Sequence, residues 1–477
     1  MLSKKSVRII AGLVMVGAIV LLSLWRVVYS SYAAEAETRR RVYLPLVSRN
    51  FPPPPTVFGA EALTFTDPAL IQLAVDARIS WLRIPAFNWS EIEPTAPVDG
   101  VHTYDWNQVP ESSLQNIADN HMYAIATVKM TPLWAQKYPG EYCGPIAEPY
   151  LDDFAEFLSA AVQRYSQPPY NVHYWELGNE PDVDPDLLPD PYSVFGCWGD
   201  DDDEYYGGGY YAEMLKVAYP AIKAADPDAQ VLIGGLLLDC DPGDPDCRNP
   251  KLPRFFEGIL RNGGGAYFDI VGFHGYSHYW DGVPIDENWP SWDQRGGVVL
   301  GKSNFLREVM TQYGIDKPLF HTEGAVLCAE NNPECNPPGD AYENVKAEYV
   351  IWLYARALAN DFESSIWYTL DGRGWRHGGL IGDTSDPNPA YDALRFMTQE
   401  LAGADFLRQP EVENENLRAY EFSVPDKKVW VVWSADGVAH HLNLPAGYTQ
   451  VLDMFGNLIT PSDDSLGVKS PVYIELP

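Results

Sequence analysis

The sequence has few basic residues and lacks several motifs that define common classes of protein. Its 33 lysines and arginines stand against 66 aspartates and glutamates, so the formal net charge is −33. Because no basic stripe is present to neutralise phosphates or uronates, nucleic acids and strongly anionic polymers are excluded as partners. No GxGxxG turn follows the first predicted strand, which disfavours an open dinucleotide-binding sheet.

The six cysteines lack the paired CxxC spacing of zinc sites. Two pairs share the same short spacing and flank loops rich in Asp, Asn and Pro, which favours local disulfides and leaves the other two cysteines to pair with each other. The predicted disulfides are Cys240–Cys247, Cys328–Cys335 and Cys143–Cys197. Disulfides indicate an oxidising compartment, so we expect the protein to be secreted or held at the cell surface.

An acidic run, Asp200–Glu204, lacks the spacing of an EF-hand calcium loop. We interpret it as a solvated loop, with a calcium site as the alternative. The sequence indicates no other metal site and no cofactor, and we expect neither.

The N-terminus has the order of an export segment, in which basic residues precede an uncharged run, Ile9–Trp25. That run is longer than most signal-peptide cores and slightly short for a membrane-spanning helix. Residues 1–34 are therefore interpreted as either a signal peptide or an uncleaved membrane anchor, and a membrane contact is expected only through them. A charged, proline-rich linker follows at residues 35–56.

From residue 57, short apolar runs alternate with longer amphipathic ones, which is the pattern of parallel strands and crossover helices. Eight strands are predicted: Val57–Ala62, Trp81–Pro85, Tyr123–Val128, Val172–Leu177, Val231–Leu236, Phe268–Phe273, Pro318–Thr322 and Ser365–Thr369. Helical periodicity separates them, for example in Leu151–Tyr165 and Ala341–Asn360. The fold class is therefore α/β, with a (β/α)8 TIM barrel over residues 57–402.

After a last helix near residues 390–401, short strands follow one another without helices. Residues 403–477 are therefore expected to form a small C-terminal all-β sandwich domain that packs on the barrel. Trp430 and Trp433 leave a carbohydrate-binding role for this domain as the alternative.

Two glutamates stand where predicted strands end. The fourth strand ends in Asn179, Glu180 and Pro181, and the seventh ends at Glu323. The carboxyl ends of barrel strands form the active face, so these side chains are expected to converge there. Facing carboxylates about 5–5.5 Å apart can act as the nucleophile and the acid/base of a retaining glycosidase. The alternative is that each glutamate forms a salt bridge at its strand end.

These motifs resemble clan A of the retaining glycoside hydrolases, which includes cellulase-like and β-xylosidase-like families. The resemblance covers residues 57–400 and consists of strand order and motifs. It implies that Glu180 is the acid/base, that Glu323 is the nucleophile, and that Asn179 binds the 2-hydroxyl group of the sugar.

The resemblance also implies further contacts in the site. Arg83 is similar to the strand-two arginine that keeps the nucleophile ionised. His274 and Tyr276 are candidates for a hydrogen bond to the nucleophile or the substrate, with simple packing as the alternative. Three tryptophans are candidates for stacking on sugar rings: Trp367, Trp134 and Trp375.

The predicted function is hydrolysis of O-glycosidic bonds in a β-linked, largely neutral oligo- or polysaccharide by double displacement. Transglycosylation would use the same residues with a different acceptor. A catalytically silent glycan-binding surface protein on the same fold is the alternative from another class. Loss of either glutamate would favour that alternative, and both are present. Loops select the sugar, so the motifs leave the sugar and linkage open.

Overall fold

Eight parallel strands form a closed barrel in the computed structural model of the protein, which describes residues 55–184, 196–287, 291–382, 387–462 and 464–477. The predicted export segment lies outside these residues, as does the predicted linker apart from residues 55 and 56. The strands through the end of the barrel are β1 (Phe58–Glu61), β2 (Trp81–Asn88), β3 (Tyr123–Lys129), β4 (Tyr174–Leu177), β5 (Gln230–Leu236), β6 (Ile270–His274), β7 (Ser277–Trp280), β8 (Val283–Ile285), β9 (Leu319–Gly324), β10 (Val326–Leu327) and β11 (Phe362–Trp367). The barrel order is β1-β11-β9-β6-β5-β4-β3-β2, while β10, β7 and β8 form a separate small sheet. The predicted (β/α)8 barrel is confirmed.

Helices follow the strands and cover the outside of the barrel. They are α1 (Pro68–Asp76), α2 (Trp89–Ile92), α3 (Glu111–Asp119), α4 (Leu151–Tyr165), α5 (Gly208–Ala225), α6 (Phe255–Arg261), α7 (Val298–Gln312), α8 (Asp340–Ala359) and α9 (Pro389–Glu400). In α4, apolar residues recur at three- and four-residue intervals from Phe154 to Tyr165 and are buried against the barrel. Helix α1 begins with an Asp67 cap followed by Pro68, a sequence that favours a helix start.

The inside of the barrel is filled by an apolar layer near the amino ends of the strands. Six strands contribute to it: Trp81, Ile125, Leu232, Ile270, Phe320 and Ile366. Because side chains alternate along a strand, the residues between them point outwards to the helices. The same alternation determines which residues face the site, because a residue two positions further along each strand also points into the barrel.

The C-terminal region is an all-β domain of β12 (Asp405–Arg408), β13 (Leu417–Val424), β14 (Lys427–Ser434), β15 (His440–Asn443), β16 (Gln450–Asp453), β17 (Leu458–Ile459), β18 (Ser465–Val468) and β19 (Val472–Leu476). A six-stranded antiparallel sheet packs on the β15–β18 pair around a core of its own. The other face of the large sheet packs on the barrel helices, where Trp433 stacks on Trp352 of α8. The predicted C-terminal all-β domain is thus confirmed.

The two tryptophans that suggested sugar binding by this domain are both buried. Trp433 is 0% exposed and Trp430 is 9% exposed. Neither indole face is available for stacking on a sugar, so these two residues serve packing.

The three predicted disulfides are present, Cys143–Cys197, Cys240–Cys247 and Cys328–Cys335. Within the described ranges, no helix has the length and apolar character needed to cross a membrane.

Candidate active site

Glu180 lies in a sharp turn directly after β4. Gly178 has a φ of 104° and Glu180 a φ of 48°, a left-handed conformation that costs energy for a residue with a side chain. The Glu180 N–H donates to the Gly235 carbonyl at 2.9 Å, which ties this turn to β5. The carboxyl group is buried, and its Oε1 lies 2.8 Å from Nδ1 of His274.

Glu323 ends β9 and is surrounded by hydrogen-bond donors. The Tyr276 hydroxyl donates to its Oε2 at 2.5 Å, and Arg83 donates to its Oε1. Burial alone would raise the pKa of Glu323, but the charges of His274 and Arg83, together with the Tyr276 bond, outweigh burial and lower that pKa below its usual value. Glu323 is therefore held in its ionised form.

His274, at the end of β6, lies between the two glutamates. Its Nδ1 is 2.8 Å from Glu180 and 3.5 Å from Glu323. Burial opposes protonation of the ring, but the negative charges of both glutamates prevail and raise the pKa of His274. A side chain at Gly235 would collide with the imidazole, so glycine is required there for this close approach.

The two carboxyl groups face each other across this histidine. One ligand atom from each of Glu180, His274 and Glu323 lies within 4.8 Å of the others. Such a group could also hold a cation. The donors already bonded to Glu323, from Arg83 and Tyr276, compensate its charge without one.

Arg83 of β2 forms hydrogen bonds with several side chains around Glu323. Its guanidinium donates to Glu323, to Glu61 at 2.6 Å, to Glu176 at 2.6 Å and to Oδ1 of Asn179 at 2.7 Å. One guanidinium thus serves three carboxylates. Burial, reinforced by the nearby charge of Glu323, raises the pKa of Glu61 to about 7 even though Arg83 opposes the shift.

Two further buried ionisable residues, Asp182 and Lys302, bond to the backbone at the ends of β5 and β6. Asp182 accepts hydrogen bonds from the N–H groups of Leu237 and Leu238 at 2.8 and 2.9 Å. Lys302 of α7 donates to the carbonyls of Leu237 and His274 at 2.5 and 3.0 Å. These bonds fix the strand ends that carry Glu180 and His274 relative to one another.

The structure thus brings together six of the residues predicted from the sequence: Glu180, Glu323, Asn179, Arg83, His274 and Tyr276. Sequence reasoning missed Glu61, Glu176 and Lys302. The detectable signal was a charged residue inside an otherwise apolar strand or helix face, because a buried charge requires a partner of opposite sign.

Trp367 lies away from this cluster, contrary to the prediction that it stacks on a sugar ring of the substrate. Ile366 faces the barrel interior, so Trp367 faces outwards against Tyr349 of α8 and is 0% exposed. Its indole N–H donates to the Gly378 carbonyl at 2.7 Å. The next residue, Tyr368, lies beside Tyr276, with ring centres 6.1 Å apart, and is the aromatic residue that this strand contributes to the site.

The other two candidate tryptophans, Trp134 and Trp375, differ in whether they contact residues of the site. Trp134 packs on Trp89 and Tyr150 and donates to the Glu93 carbonyl, and no described contact joins it to the carboxylates. Trp375 contacts Tyr276 edge to face, with ring centres 5.3 Å apart, and is 46% exposed. Trp375 is therefore the better placed of the two to contact a ligand.

No protein-family model matches the sequence, and no curated protein matches it either. The fold, however, is similar to that of a family 39 glycoside hydrolase from Bacteroides cellulosilyticus WH2, with a TM-score of 0.66 and 16% identity over 89% of this chain and 81% of that chain. A GH39 β-xylosidase from Caulobacter crescentus gives a TM-score of 0.56 and 15% identity over 90% of this chain and 96% of that chain. A GH30 endoxylanase from Clostridium papyrosolvens C71 gives a TM-score of 0.56 and 12% identity over 89% of this chain and 97% of that chain. The predicted resemblance to clan A glycoside hydrolases is thus confirmed at the level of fold.

Proposed function

We propose that the protein is a retaining glycoside hydrolase in which Glu323 is the nucleophile and Glu180 is the acid/base. The observation that carries this proposal is the placement of two buried glutamates, after β4 and at the end of β9, with carboxyl oxygens within 4.8 Å of each other. Retaining enzymes separate the two carboxyl groups by about 5–5.5 Å, whereas inverting enzymes need about 6.5–9.5 Å to admit a water molecule. The alternative of isolated salt bridges does not account for two carboxylates that face each other.

In the proposed first step, ionised Glu323 attacks the anomeric carbon while Glu180 protonates the departing oxygen. Arg83 and Tyr276 hold Glu323 in place for this attack. Formation of the glycosyl ester uses the Glu323 carboxylate, and Glu180 has by then given its proton to the leaving group. Glu180 then takes a proton from the water that hydrolyses the ester.

Asn179 is proposed to bind the 2-hydroxyl group of the sugar. Its Oδ1 accepts a hydrogen bond from Arg83 at 2.7 Å, which fixes the orientation of the amide. The Nδ2 group is the proposed donor to this hydroxyl. Such a bond strengthens in the transition state, so it contributes to rate as well as to binding.

The proposed substrate is a β-linked, largely neutral oligo- or polysaccharide. Two of the structural neighbours are a β-xylosidase and an endoxylanase, so xylan belongs among the first substrates to test. We propose that the protein acts outside the cell or on its surface, since three disulfides are typical of an oxidising compartment.

Activity on a panel of xylan, β-glucan, mannan and galactan, with the corresponding aryl β-glycosides, tests the proposal. We expect hydrolysis of at least one β-linked substrate, and loss of several orders of magnitude in Glu323→Gln. Glu348→Gln is the matched control, because Glu348 is also buried but bonds to Ser470 and Asn344 instead. Glycan binding with no turnover on any substrate would support the silent binding protein and contradict the proposal.

A further inference from the structure

A short β-hairpin follows β6 at the carboxyl end of the barrel. It consists of β7 and β8, and β7 begins directly after the active-site residue Tyr276. Along β7, Ser277 and Tyr279 are buried, whereas Trp280 is 56% exposed. Because successive side chains of a strand point to opposite faces, His278 and Trp280 lie on the face that Tyr276 begins. The hairpin thus extends the face of the active site outwards from the catalytic pair.

Contacts with the loop after β11 support this assignment of faces. Trp375 packs edge to face on Tyr276, and the next residue, Arg376, lies close enough to His278 for its charge to act on the ring. Burial, reinforced by that charge, lowers the pKa of His278 to about 4. His278 is therefore uncharged at neutral pH and adds no charge to this face of the hairpin.

The hairpin is held by contacts on its other face and beside its tip. The Tyr279 ring packs on Tyr342 of α8, with ring centres 5.5 Å apart. Val283 of β8 lies against Gly437 of the C-terminal domain, where any side chain would collide with it. Gly437 also has a φ of 70°, which glycine adopts without strain. These contacts fix the hairpin, so the exposure of Trp280 is a property of the fold.

The exposed tryptophans of the protein are found on this face. Among the residues that the structure describes, Trp280 and Trp375 are the tryptophans with large exposed fractions, and the others are buried or half-buried. Trp375 contacts Tyr276 directly, and Trp280 follows Tyr276 by two steps of two residues. Large apolar side chains left exposed together favour a binding surface, and a flat indole can cover the C–H face of a sugar.

Strand geometry gives the span of this surface. Four residues at about 3.3 Å each place Trp280 about 13 Å along the strand from Tyr276. One sugar ring at the catalytic pair does not reach that far, so a ligand that contacts both is a chain of several sugars. A second copy of the protein is a less suitable occupant, because a net charge of −33 repels like molecules. A neutral glycan meets no such repulsion.

We propose that Trp280 is a distal sugar-binding residue, and that the substrate is a chain of neutral sugars that extends from the catalytic pair to this tryptophan. Trp280 stacks on a ring remote from the bond that is cleaved, and β7 lies beneath the rings between. Binding energy gained at a remote ring helps to position the reacting carbon, so long chains react faster than short ones. This inference rests on the proposed function, whose substrate class it narrows.

Ladders of β-linked oligosaccharides test the proposal. The probes are xylo-, gluco-, manno- and galacto-oligosaccharides from the disaccharide to the hexasaccharide, with the aryl β-glycosides of the same sugars. Hydrolysis is measured with the full-length wild type. Binding is measured by calorimetry with the full-length Glu323→Gln variant, which does not consume the ligand. In at least one ladder we expect kcat/KM and affinity to rise with chain length and to level off once the chain reaches Trp280.

Variants at Trp280 identify the residue responsible for that rise. Trp280→Ala should lower kcat/KM and affinity for the longest chain about tenfold and leave the aryl glycoside unchanged, because the lost contact is remote from the cleaved bond. Trp280→Phe, which keeps a flat ring, should recover part of the loss. Phe455→Ala is the matched control, because Phe455 is also exposed but lies in a turn whose next residue, Gly456, packs against Phe396 of α9. It should change neither substrate.

Equal losses on the aryl glycoside and the hexasaccharide in Trp280→Ala would overturn the proposal, and so would no effect of this variant in any ladder. Light scattering tests the other occupant. A dimer that dissociates in Trp280→Ala, with glycan affinity unchanged, would assign the tryptophan to a contact between copies and would also overturn the proposal. Length-dependent binding that requires Trp280, without hydrolysis, would support the inference and contradict the proposed function. Hydrolysis that does not depend on Trp280 would do the reverse.

Discussion

The two ends of the barrel are built by the same strands but differ in chemistry. On β2, Trp81 belongs to the apolar layer at the amino end, and Arg83, two residues further on, bonds the carboxylates of the site. On β4, Tyr174 packs against the apolar layer and Glu176 accepts a bond from Arg83. A step of two residues keeps the inward direction and advances by one layer. The amino end therefore stabilises the fold, and the carboxyl end performs the proposed chemistry at a cost in stability.

Replacing Arg83 tests the carboxyl end and should have the largest effect. Arg83→Met retains much of the volume but leaves Glu61, Glu176 and Glu323 without their shared donor. Loss of one partner in a buried ionic group costs about 3–5 kcal/mol of stability. Loss of a preorganised donor lowers kcat by about 10²–10³-fold. Steady-state kinetics and urea unfolding measure the two effects, and Arg83→Lys should recover only part of each. Wild-type kcat in Arg83→Met would show that the two ends do not differ as described.

Replacing Trp81, on the same strand, tests the amino end. Its ring contacts Tyr123, Tyr174 and Phe320. Trp81→Ala should lower the free energy of unfolding by about 3–5 kcal/mol through the cavity it creates. The folded molecules should keep a kcat/KM close to that of the wild type, measured where circular dichroism shows both proteins folded. A loss of kcat/KM as large as that of Arg83→Met would mean that the apolar layer also positions the catalytic groups.

A smaller effect, on the dependence of stability on pH, is expected at Glu61. Its pKa is raised from 4.5 to about 7, chiefly by burial. Between these values the folded chain retains a proton that the unfolded chain has lost, so stability should fall as the pH rises through this window. Glu61→Gln should remove part of that fall. Urea unfolding at both ends of the window measures it, with the exposed Glu213→Gln as control. An identical slope in wild type and Glu61→Gln would contradict the buried-charge account.

The strand order and the two catalytic candidates could be predicted because each depends on local sequence. An apolar run that ends in Asn179, Glu180 and Pro181 specifies a strand and its terminus without knowledge of its neighbours. The inward or outward phase could not be predicted in the same way, because both faces of a parallel strand are buried. Closure of the barrel sets that phase. Ile366 faces inwards, so Tyr368, two positions further on, faces the site, and the predicted Trp367 faces outwards.

The same limit applies to the partners of Arg83. Glu61 is the register partner of Arg83 on the adjacent strand β1, and Glu176 lies two strands away on β4, so both meet Arg83 only once the strands pair. The charged residues were visible in their strands, but their convergence on one guanidinium depends on the register of β1, β2 and β4.

The stereochemistry of azide rescue tests the central claim, that Glu323 is the nucleophile and Glu180 the acid/base. In Glu323→Ala no glycosyl ester can form, so azide attacks from the vacated face and should give a glycosyl azide of inverted configuration. In Glu180→Ala, tested on an aryl glycoside with a good leaving group, the glycosyl enzyme should still form on Glu323. Azide then displaces that ester and should give a product of retained configuration, which proton NMR distinguishes. Exchanged configurations would reverse the two roles, and undiminished activity in either variant without azide would contradict the mechanism.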